Sequence, residues 1–126
     1  MSARVLVVDD DAAVLRTLST AMTRCGYATR SASCVTDAVA LIAAEQIEVA
    51  LVDYHIGMES GLDVVRACRE RHGRFVFIVM LTGEDDDEIR QLAADAGADL
   101  VVSKPVSPSI LRAHVNQALA RLRAAA

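Results

Sequence analysis

The stretch VLVVDDD, residues 5–11, joins an apolar run directly to three consecutive carboxylates. Its first four residues are Val or Leu, a composition that favours a buried β-strand. Adjacent carboxylates repel each other, and burying even one of them without a partner costs on the order of several kcal/mol. The three acids therefore need either a solvated helix start or a positive group placed among them.

The rest of the chain repeats a short apolar run followed by a segment of helical period. Between the runs, apolar residues recur at helical spacing, as Val14, Leu18 and Met22 do. Five such βα units predict a parallel sheet with right-handed crossovers and helices on both faces. The near-continuous apolar run FVFIVML supports burial of the sheet on both sides. The predicted strands cover residues 4–8, 27–31, 49–52, 75–81 and 100–102.

Residues at the predicted helix ends agree with this division of the chain. Gly26 and Gly97 follow the first and fourth helices, where a left-handed backbone is favoured. Asp11 is predicted to cap the first helix, and Ser107-Pro108 has the order of an N-cap followed by a first-turn residue. The acidic run 84–88 is likewise predicted to be the solvated start of the fourth helix, where the helix dipole tolerates acids.

The composition argues against several classes of protein. The 126-residue chain has 13 Lys and Arg against 17 Asp and Glu, with no basic cluster of the kind that binds nucleic acid. No apolar stretch approaches the ~20 residues that span a bilayer, so we expect a cytoplasmic protein without direct nucleic-acid or membrane binding. Cys25, Cys34 and Cys68 lack the spacing of a zinc site or disulfide framework and are expected to be reduced. We expect His72 to be a solvated surface residue.

Polar residues follow four of the five predicted strands. Asp9 and Asp10 come after the first strand, Asp53 after the third, Thr82 after the fourth and Lys104 after the fifth. In an open doubly wound sheet, ligands bind outside the carboxyl ends of the strands. We therefore expect acid, acid, hydroxyl and ammonium groups to converge at one edge of the sheet.

These residue types together suit phosphoryl chemistry assisted by a small hard cation. Carboxylate oxygens in one pocket are good ligands for Mg²⁺, which keeps waters that substrate oxygens can replace. A lysine ammonium and a threonine hydroxyl opposite them can hold phosphoryl oxygens. One carboxylate is then a candidate nucleophile for phosphorus, and Asp53, alone at the end of a central strand, is the best placed.

The stretches VLVVDDD, VALVDYHIGMESG, VMLTGE and GADLVVSKP together resemble the receiver domains of bacterial two-component response regulators. The resemblance covers essentially the whole chain and implies one receiver domain over residues 1–126. It implies a doubly wound, flavodoxin-like α/β fold whose five parallel strands have the order 2-1-3-4-5. It also implies that Asp53 accepts a phosphoryl group from the phosphohistidine of a sensor histidine kinase or of a histidine phosphotransfer protein.

The same resemblance implies roles for the other site residues. Mg²⁺ would be bound by Asp10, Asp53 and the backbone carbonyl of His55, with Asp9 acting largely through water. Thr82 and Lys104 would hold the phosphoryl oxygens and shift when the group arrives, and Lys104-Pro105 would be a cis peptide. The phosphorylated state would signal through the face built from the fourth helix, fifth strand and fifth helix. Its readers would be a downstream protein target, a fused output domain or a second copy in a homodimer.

The sequence departs from the family pattern at two positions. Val101 stands where the fifth strand usually has a switching Tyr or Phe, so the usual coupling of threonine movement to aromatic burial is open here. Gly57 stands where the acceptor loop often has proline, which predicts a more mobile loop. His55 and Glu84 occupy positions that tune phosphoryl lifetime in the family, and this pair predicts a non-generic lifetime.

Other functions compatible with the residues are a Mg²⁺-dependent phosphohydrolase, a receiver-like module that is never phosphorylated, and a nucleotide-binding protein. The phosphohydrolase group usually has a second Asp two residues beyond the nucleophile, where this chain has His55. Retention of all five acid, hydroxyl and ammonium residues argues against the unphosphorylated module, although Val101 keeps it open. No glycine-rich phosphate loop follows the first strand, which argues against a nucleotide site.

Overall fold

The computed structural model describes residues 3–84 and 86–125, which alternate between strands and helices along the chain. The strands are β1 (Arg4–Val8), β2 (Ala28–Ala32), β3 (Val49–Asp53), β4 (His55–Ile56), β5 (Glu59–Ser60), β6 (Phe77–Thr82) and β7 (Leu100–Ser103). The helices are α1 (Ala12–Arg24), α2 (Val35–Ala44), α3 (Gly61–His72), α4 (Asp87–Ala96) and α5 (Pro108–Ala125). Within these ranges, no helix is both long enough and apolar enough to cross a membrane.

Five of the strands form one parallel sheet with the order β2-β1-β3-β6-β7. The fourth and fifth predicted strands correspond to β6 and β7, so the predicted fold class and the order 2-1-3-4-5 are confirmed. The sequence pattern does not predict β4 and β5, which pair as a short antiparallel hairpin between β3 and α3. Two-residue strands are too short to produce a detectable alternation of apolar and polar residues.

The sheet separates two hydrophobic clusters. Residues of α2, α3 and α4 form the cluster on one face, which we call the α2–α4 core. Residues of α1 and α5 form the cluster on the other face, the α1–α5 core. Successive residues of β1 alternate between them, with Leu6 and Val8 in the first and Val5 and Val7 in the second. Burial on both faces accounts for the continuous apolar runs of the central strands.

Most of the residues predicted at the starts and ends of the helices lie at those positions. The Asp11 carboxylate accepts hydrogen bonds from the N–H groups of Ala13 (2.9 Å) and Val14 (3.2 Å), which confirms it as the N-cap of α1. Gly26 and Gly97 have φ angles of 90° and 114°, as expected beyond a helix C-terminus. In the acidic run, the Asp86 side chain caps α4, whereas Asp85 lies outside the described residues.

One strand begins later than predicted, and an arginine of the preceding helix binds the residues just before it. Gly73–Phe75 form a short 3₁₀ helix, and β6 starts only at Phe77. The Arg69 guanidinium donates to the carbonyl oxygens of Gly73 (2.6 Å) and Val76 (2.9 Å), which holds this segment in a turn. The same guanidinium donates to Gly97 O (2.7 and 3.0 Å) and pairs with Asp99 (2.7 Å). We call this set the Arg69 cluster: Arg69, Gly73, Val76, Gly97 and Asp99.

The prediction that His72 is solvated is wrong. The side chain is only 8% exposed, and its Nε2 has no hydrogen-bond partner among the described residues. Burial lowers the pKa of His72, and the backbone of Ile42 only partly opposes this effect. The flanking Arg71 and Gly73 suggest a surface turn, but α3 packs against α2 up to its last residue.

Candidate functional site

The carboxyl ends of four parallel strands place the predicted site residues at one edge of the sheet. Asp9 and Asp10 directly follow β1, and Asp53 and Thr82 are the last residues of β3 and β6. Lys104 directly follows β7, and its backbone N–H donates to Thr82 O (2.7 Å). Because β1, β3, β6 and β7 are consecutive strands of the sheet and all end at the same edge, these residues lie at one edge of the sheet.

Three carboxylates and one ammonium form the centre of the site. Asp9, Asp10 and Asp53 each present an oxygen atom within 4.8 Å of the others. The Lys104 ammonium lies 2.9 Å from Asp53 Oδ1 and 3.2 Å from Asp9 Oδ2. Asp9 is only 1% exposed and Asp53 only 7%, whereas Asp10 lies open to solvent. The site is therefore a buried acid pair held by one lysine, with a third carboxylate at its mouth.

The charges in this cluster do not balance. Burial raises the pKa of Asp53, the Lys104 ammonium opposes the rise, and the negative charges of Asp9 and Asp10 add to it. Burial would lower the pKa of Lys104, but its hydrogen bonds and attraction to Asp53 and Asp9 outweigh that effect and raise it. Lys104 thus stays charged, and the three acids retain an excess of negative charge that a cation would relieve.

The three consecutive acids of the opening stretch have separate partners. Asp9 Oδ1 accepts from the N–H of Asp11 (2.9 Å), which fixes the turn between β1 and α1. Asp10 Oδ2 accepts from the N–H of Gly57 (2.9 Å) in the turn of the β4–β5 hairpin. Asp11 points away from the cluster and caps α1. Of these three acids, Asp9 and Asp10 therefore lie in the cluster with Asp53, and Asp11 belongs to the start of α1.

The Thr82 hydroxyl makes local contacts. It is 1% exposed, donates to Glu84 O (3.2 Å) and accepts from Glu84 N–H (3.0 Å). Among the described residues, no hydrogen bond joins it to the side chains of Asp53 or Lys104. Thr82 thus lies at the predicted strand end, with its hydroxyl bound to its own loop.

An exposed pair connects two loops beside the cluster. His55 Nε2 lies 3.1 Å from Glu84 Oε1, and both side chains are more than 60% exposed. The His55 ring also packs edge-to-face on Tyr54, with centroids 4.8 Å apart. The pair links the β4–β5 hairpin to the loop after β6. His55 lies two residues beyond Asp53, and Glu84 lies two residues beyond Thr82.

The segment between β3 and α3 is a compact loop whose ends meet. The Gly61 N–H donates to Tyr54 O (2.7 Å), and Ser60 Oγ accepts from the N–H of Leu62 as the N-cap of α3. The Gly57 N–H that binds Asp10 is a donor that proline would lack. The sequence pattern predicts neither the Gly61–Tyr54 bond nor the Gly57–Asp10 bond, because hydrogen bonds within and between loops leave no periodic signal.

Two predictions about the end of β7 can be compared with the structure. Lys104-Pro105 is a cis peptide, as the resemblance implied. Val101 is partly buried and packs against the α2–α4 core. A valine there has no aromatic ring that could move between buried and exposed positions.

The donor set fits a divalent cation that prefers oxygen ligands. Carboxylate oxygens are the ligands of Mg²⁺ and Ca²⁺, and the cluster offers three within one ion's reach. The raised pKa of Asp53 is consistent with this fit, since a cation would offset the charge that burial leaves unfavourable.

A protein family and several curated proteins are similar to this chain in sequence. The response regulator receiver domain family matches residues 5–116. The transcriptional regulatory protein GltR of Pseudomonas aeruginosa is 33% identical over 119 residues, which are 93% of this chain and 49% of GltR. The response regulator MprA of Mycobacterium tuberculosis is 34% identical over 123 residues, 98% of this chain and 53% of MprA. The chain thus spans about half the length of these two curated relatives.

Solved structures give the same result. A CheY-like response regulator receiver domain protein from Methanospirillum hungatei superposes with a TM-score of 0.94 at 25% identity, covering 100% of both chains. A Burkholderia pseudomallei response regulator with a phosphorylated aspartic acid, calcium ion and citrate has a TM-score of 0.83 at 31% identity, over 89% of this chain and 65% of that one. With the family match over residues 5–116, these likenesses show that the chain belongs to the response regulator receiver domain family.

Proposed function

We propose that Asp53 is the phosphoacceptor of this receiver domain and takes its phosphoryl group from the phosphohistidine of a sensor histidine kinase or histidine phosphotransfer protein. The observation that carries this proposal is the position of the Asp53 carboxylate at the end of β3. It lies 2.9 Å from Lys104 and within 4.8 Å of two further acids. A carboxylate that burial makes more basic, beside a fixed ammonium, is suited to attack phosphorus.

The reaction is a transfer between two nucleophiles. An oxygen of Asp53 forms a bond to phosphorus while the P–N bond to the donor imidazole breaks, and the imidazole leaves with the electron pair. Lys104 holds the attacking carboxylate in place and offsets charge on the phosphoryl oxygens. The low exposure of Asp53 limits access by water.

We further propose that the cation of this site is Mg²⁺. Asp10, Asp53 and the backbone carbonyl of His55 would hold it directly, and Asp9 would act largely through water. When bound, the ion supplies positive charge that reduces repulsion between the carboxylates and an incoming phosphoryl group. The open position of Asp10 leaves room for the waters that Mg²⁺ usually retains.

Thr82 would convert the new charge at Asp53 into a conformational change. Its hydroxyl is bound to the backbone of Glu84, so it has to leave those two hydrogen bonds to reach a phosphoryl oxygen. This exchange would pull on the loop that leads into α4. The output would then be altered binding at the face of α4, β7 and α5, whose helices carry the exposed apolar side chains Leu92 and Ile110.

In its wider setting, we propose that residues 1–126 act as one cytoplasmic receiver domain in a two-component pathway. The output would pass to a downstream protein target, a fused output domain or a second copy of the chain, without direct nucleic-acid or membrane binding by this segment. The formal charge of −4 supports the lack of a nucleic-acid contact.

The test is phosphorylation by a small donor. The protein is incubated with Mg²⁺ and acetyl phosphate and its intact mass is measured, with Asp53→Asn and a known receiver as controls. We expect a phosphoryl adduct on the wild type and none on Asp53→Asn. An unmodified wild type under conditions where the known receiver reacts would refute the assignment.

The chemistry beyond this single transfer is limited to hydrolysis of the protein's own aspartyl phosphate. We propose that the chain is not a turnover enzyme, because His55 stands where phosphohydrolases of this type have a second Asp. Steady turnover of a phosphomonoester that Asp53→Asn abolishes would contradict this proposal.

A further inference from the structure

We propose that Gly61 is a positioning residue for phosphoryl transfer, which fixes both the Asp53 main chain and the loop that carries His55. This inference rests on the assignment of Asp53 as the phosphoacceptor. It concerns a residue that contacts the backbone at the site and none of the reacting atoms.

The first residue of α3 packs directly on the backbone of Asp53. A methyl group on Gly61 would lie 2.0 Å from the carbonyl oxygen of Asp53 and 3.0 Å from its carbonyl carbon. Side-chain carbons in proteins essentially never approach other atoms closer than 3.0 Å, so the helix or the carbonyl would have to move by about 1 Å. The nearest atom is main chain, which cannot turn aside as a flexible side chain would.

The backbone conformation does not itself require glycine at this position. Gly61 is helical and is not among the glycines with positive φ. At a helical position, alanine is normally the better residue because it restricts the unfolded chain. A side chain at residue 61 is therefore excluded by the lack of space beside Asp53. The φ angle does not exclude one.

Gly61 also closes the loop between β3 and α3. Its N–H donates to Tyr54 O (2.7 Å), so the residues directly after Asp53 are tied to the start of α3. The His55 backbone and the Gly57 N–H that binds Asp10 lie inside this closed loop. A shift at Gly61 would thus move the Asp53 main chain and the proposed His55 carbonyl ligand together.

The test compares Gly61→Ala with a core variant of the same helix. Val65→Ala removes buried volume one turn beyond Gly61 on α3, and serves as the control for lost stability. Ser60→Ala, which loses the N-cap of α3, gives a milder disturbance next to Gly61. For each variant, Mg²⁺ affinity is measured by calorimetry and the rate of acetyl phosphate uptake is measured at saturating Mg²⁺, both where urea titration shows the protein fully folded.

We expect Gly61→Ala to lose about 10- to 100-fold in the rate at saturating Mg²⁺, since a misplacement of about 1 Å can cost ~100-fold. Its Mg²⁺ affinity should fall as well, and Ser60→Ala should lose a few-fold in the same direction. A loss of stability alone moves neither quantity in a folded sample, so Val65→Ala should match the wild type in both.

Values for Gly61→Ala that equal those of Val65→Ala would overturn the proposal. If Gly61→Ala does not fold, Ser60→Ala decides, and wild-type values for that variant would overturn the proposal too. An unphosphorylated wild type would instead refute the assignment of Asp53, which is a separate outcome.

Discussion

Replacing Arg69 by alanine should destabilise the fold far more than replacing Arg66, three residues earlier on the same helix. Arg69 makes five hydrogen bonds that join α3 to the 3₁₀ turn, the end of α4 and the start of β7, and its side chain is 25% exposed. Within residues 3–84 and 86–125, Arg66 pairs only with Asp63, and both side chains are more than half exposed.

The size of the effect follows from what each truncation leaves behind. Hydrogen bonds to a charged donor contribute about 1.5–3 kcal/mol each, but water can reach part of the Arg69 cluster and such values do not add. Removing one partner of a buried ion pair costs about 3–5 kcal/mol. The Arg69 and Asp99 side chains are 25% and 37% exposed, and Asp99 keeps its bond from the Ile78 N–H (2.8 Å), so Arg69→Ala should cost no more than the low end of this range, about 3 kcal/mol. An exposed i,i+3 pair contributes about 0.5 kcal/mol or less.

Urea unfolding followed by far-UV circular dichroism measures both variants. With a slope of about 1.5 kcal/mol per molar urea, Arg69→Ala should lower the midpoint by about 2 M and Arg66→Ala by about 0.3 M. Arg69→Lys keeps the charge but loses the planar fork, so it should recover only about 1 kcal/mol. A midpoint for Arg69→Ala within about 0.5 M of that for Arg66→Ala would refute the claim that this cluster holds the three segments together.

Three further results are expected. Asp10→Asn should weaken Mg²⁺ binding by about tenfold or more and slow phosphorylation. Asp11→Asn keeps a good N-cap residue and should change neither. Equal losses of Mg²⁺ affinity in calorimetry would contradict the assignment of Asp10 to the cation and Asp11 to the helix cap. Lys104→Met should strengthen Mg²⁺ binding, because the ammonium 2.9 Å from Asp53 competes with the cation. The same variant should take up the phosphoryl group more slowly. Weaker Mg²⁺ binding would contradict the competition between the ammonium and the cation. The lowered pKa of His72 means that the folded state favours the neutral imidazole. The contribution of His72 to the free energy of unfolding is therefore complete above about pH 6.5 and is lost as the pH falls below that value. Urea midpoints of His72→Gln should therefore decline less than those of the wild type between about pH 7 and pH 5, and parallel declines would count against it.

The sequence predicted the parts of the molecule that depend on period and on strand ends. The βα alternation is sufficient to place Asp9, Asp10, Asp53, Thr82 and Lys104 at one edge, because parallel strands all end on the same side of a sheet. The caps at Asp11 and Gly97 were predictable for a similar reason, since they depend on residues within one helical turn.

The features that the sequence did not predict depend on contacts between distant segments. Arg69 reaches Gly97 and Asp99 across 28 and 30 residues, and nothing at those positions marks them as its partners. His72 was misplaced because its burial comes from α2, and the role of Gly61 follows from the closeness of the Asp53 carbonyl. The glycine directly before Leu62, at the start of the third predicted helix, is the one sequence signal of a tight contact, because glycine is a poor helix former.

The division of the interior by the sheet has a consequence for how this protein can diverge. Because α4 contributes to one core and α5 to the other, substitutions in the packing of α4 need no matching changes in the packing of α1 against α5. Alternate residues of each strand pack in different cores. Substitutions in one core therefore have little effect on the packing of the other. The surface of α4 and the surface of α1 can therefore be adapted to new partners one at a time, while the edge of the sheet that carries the acidic cluster, which both layers share, stays the same.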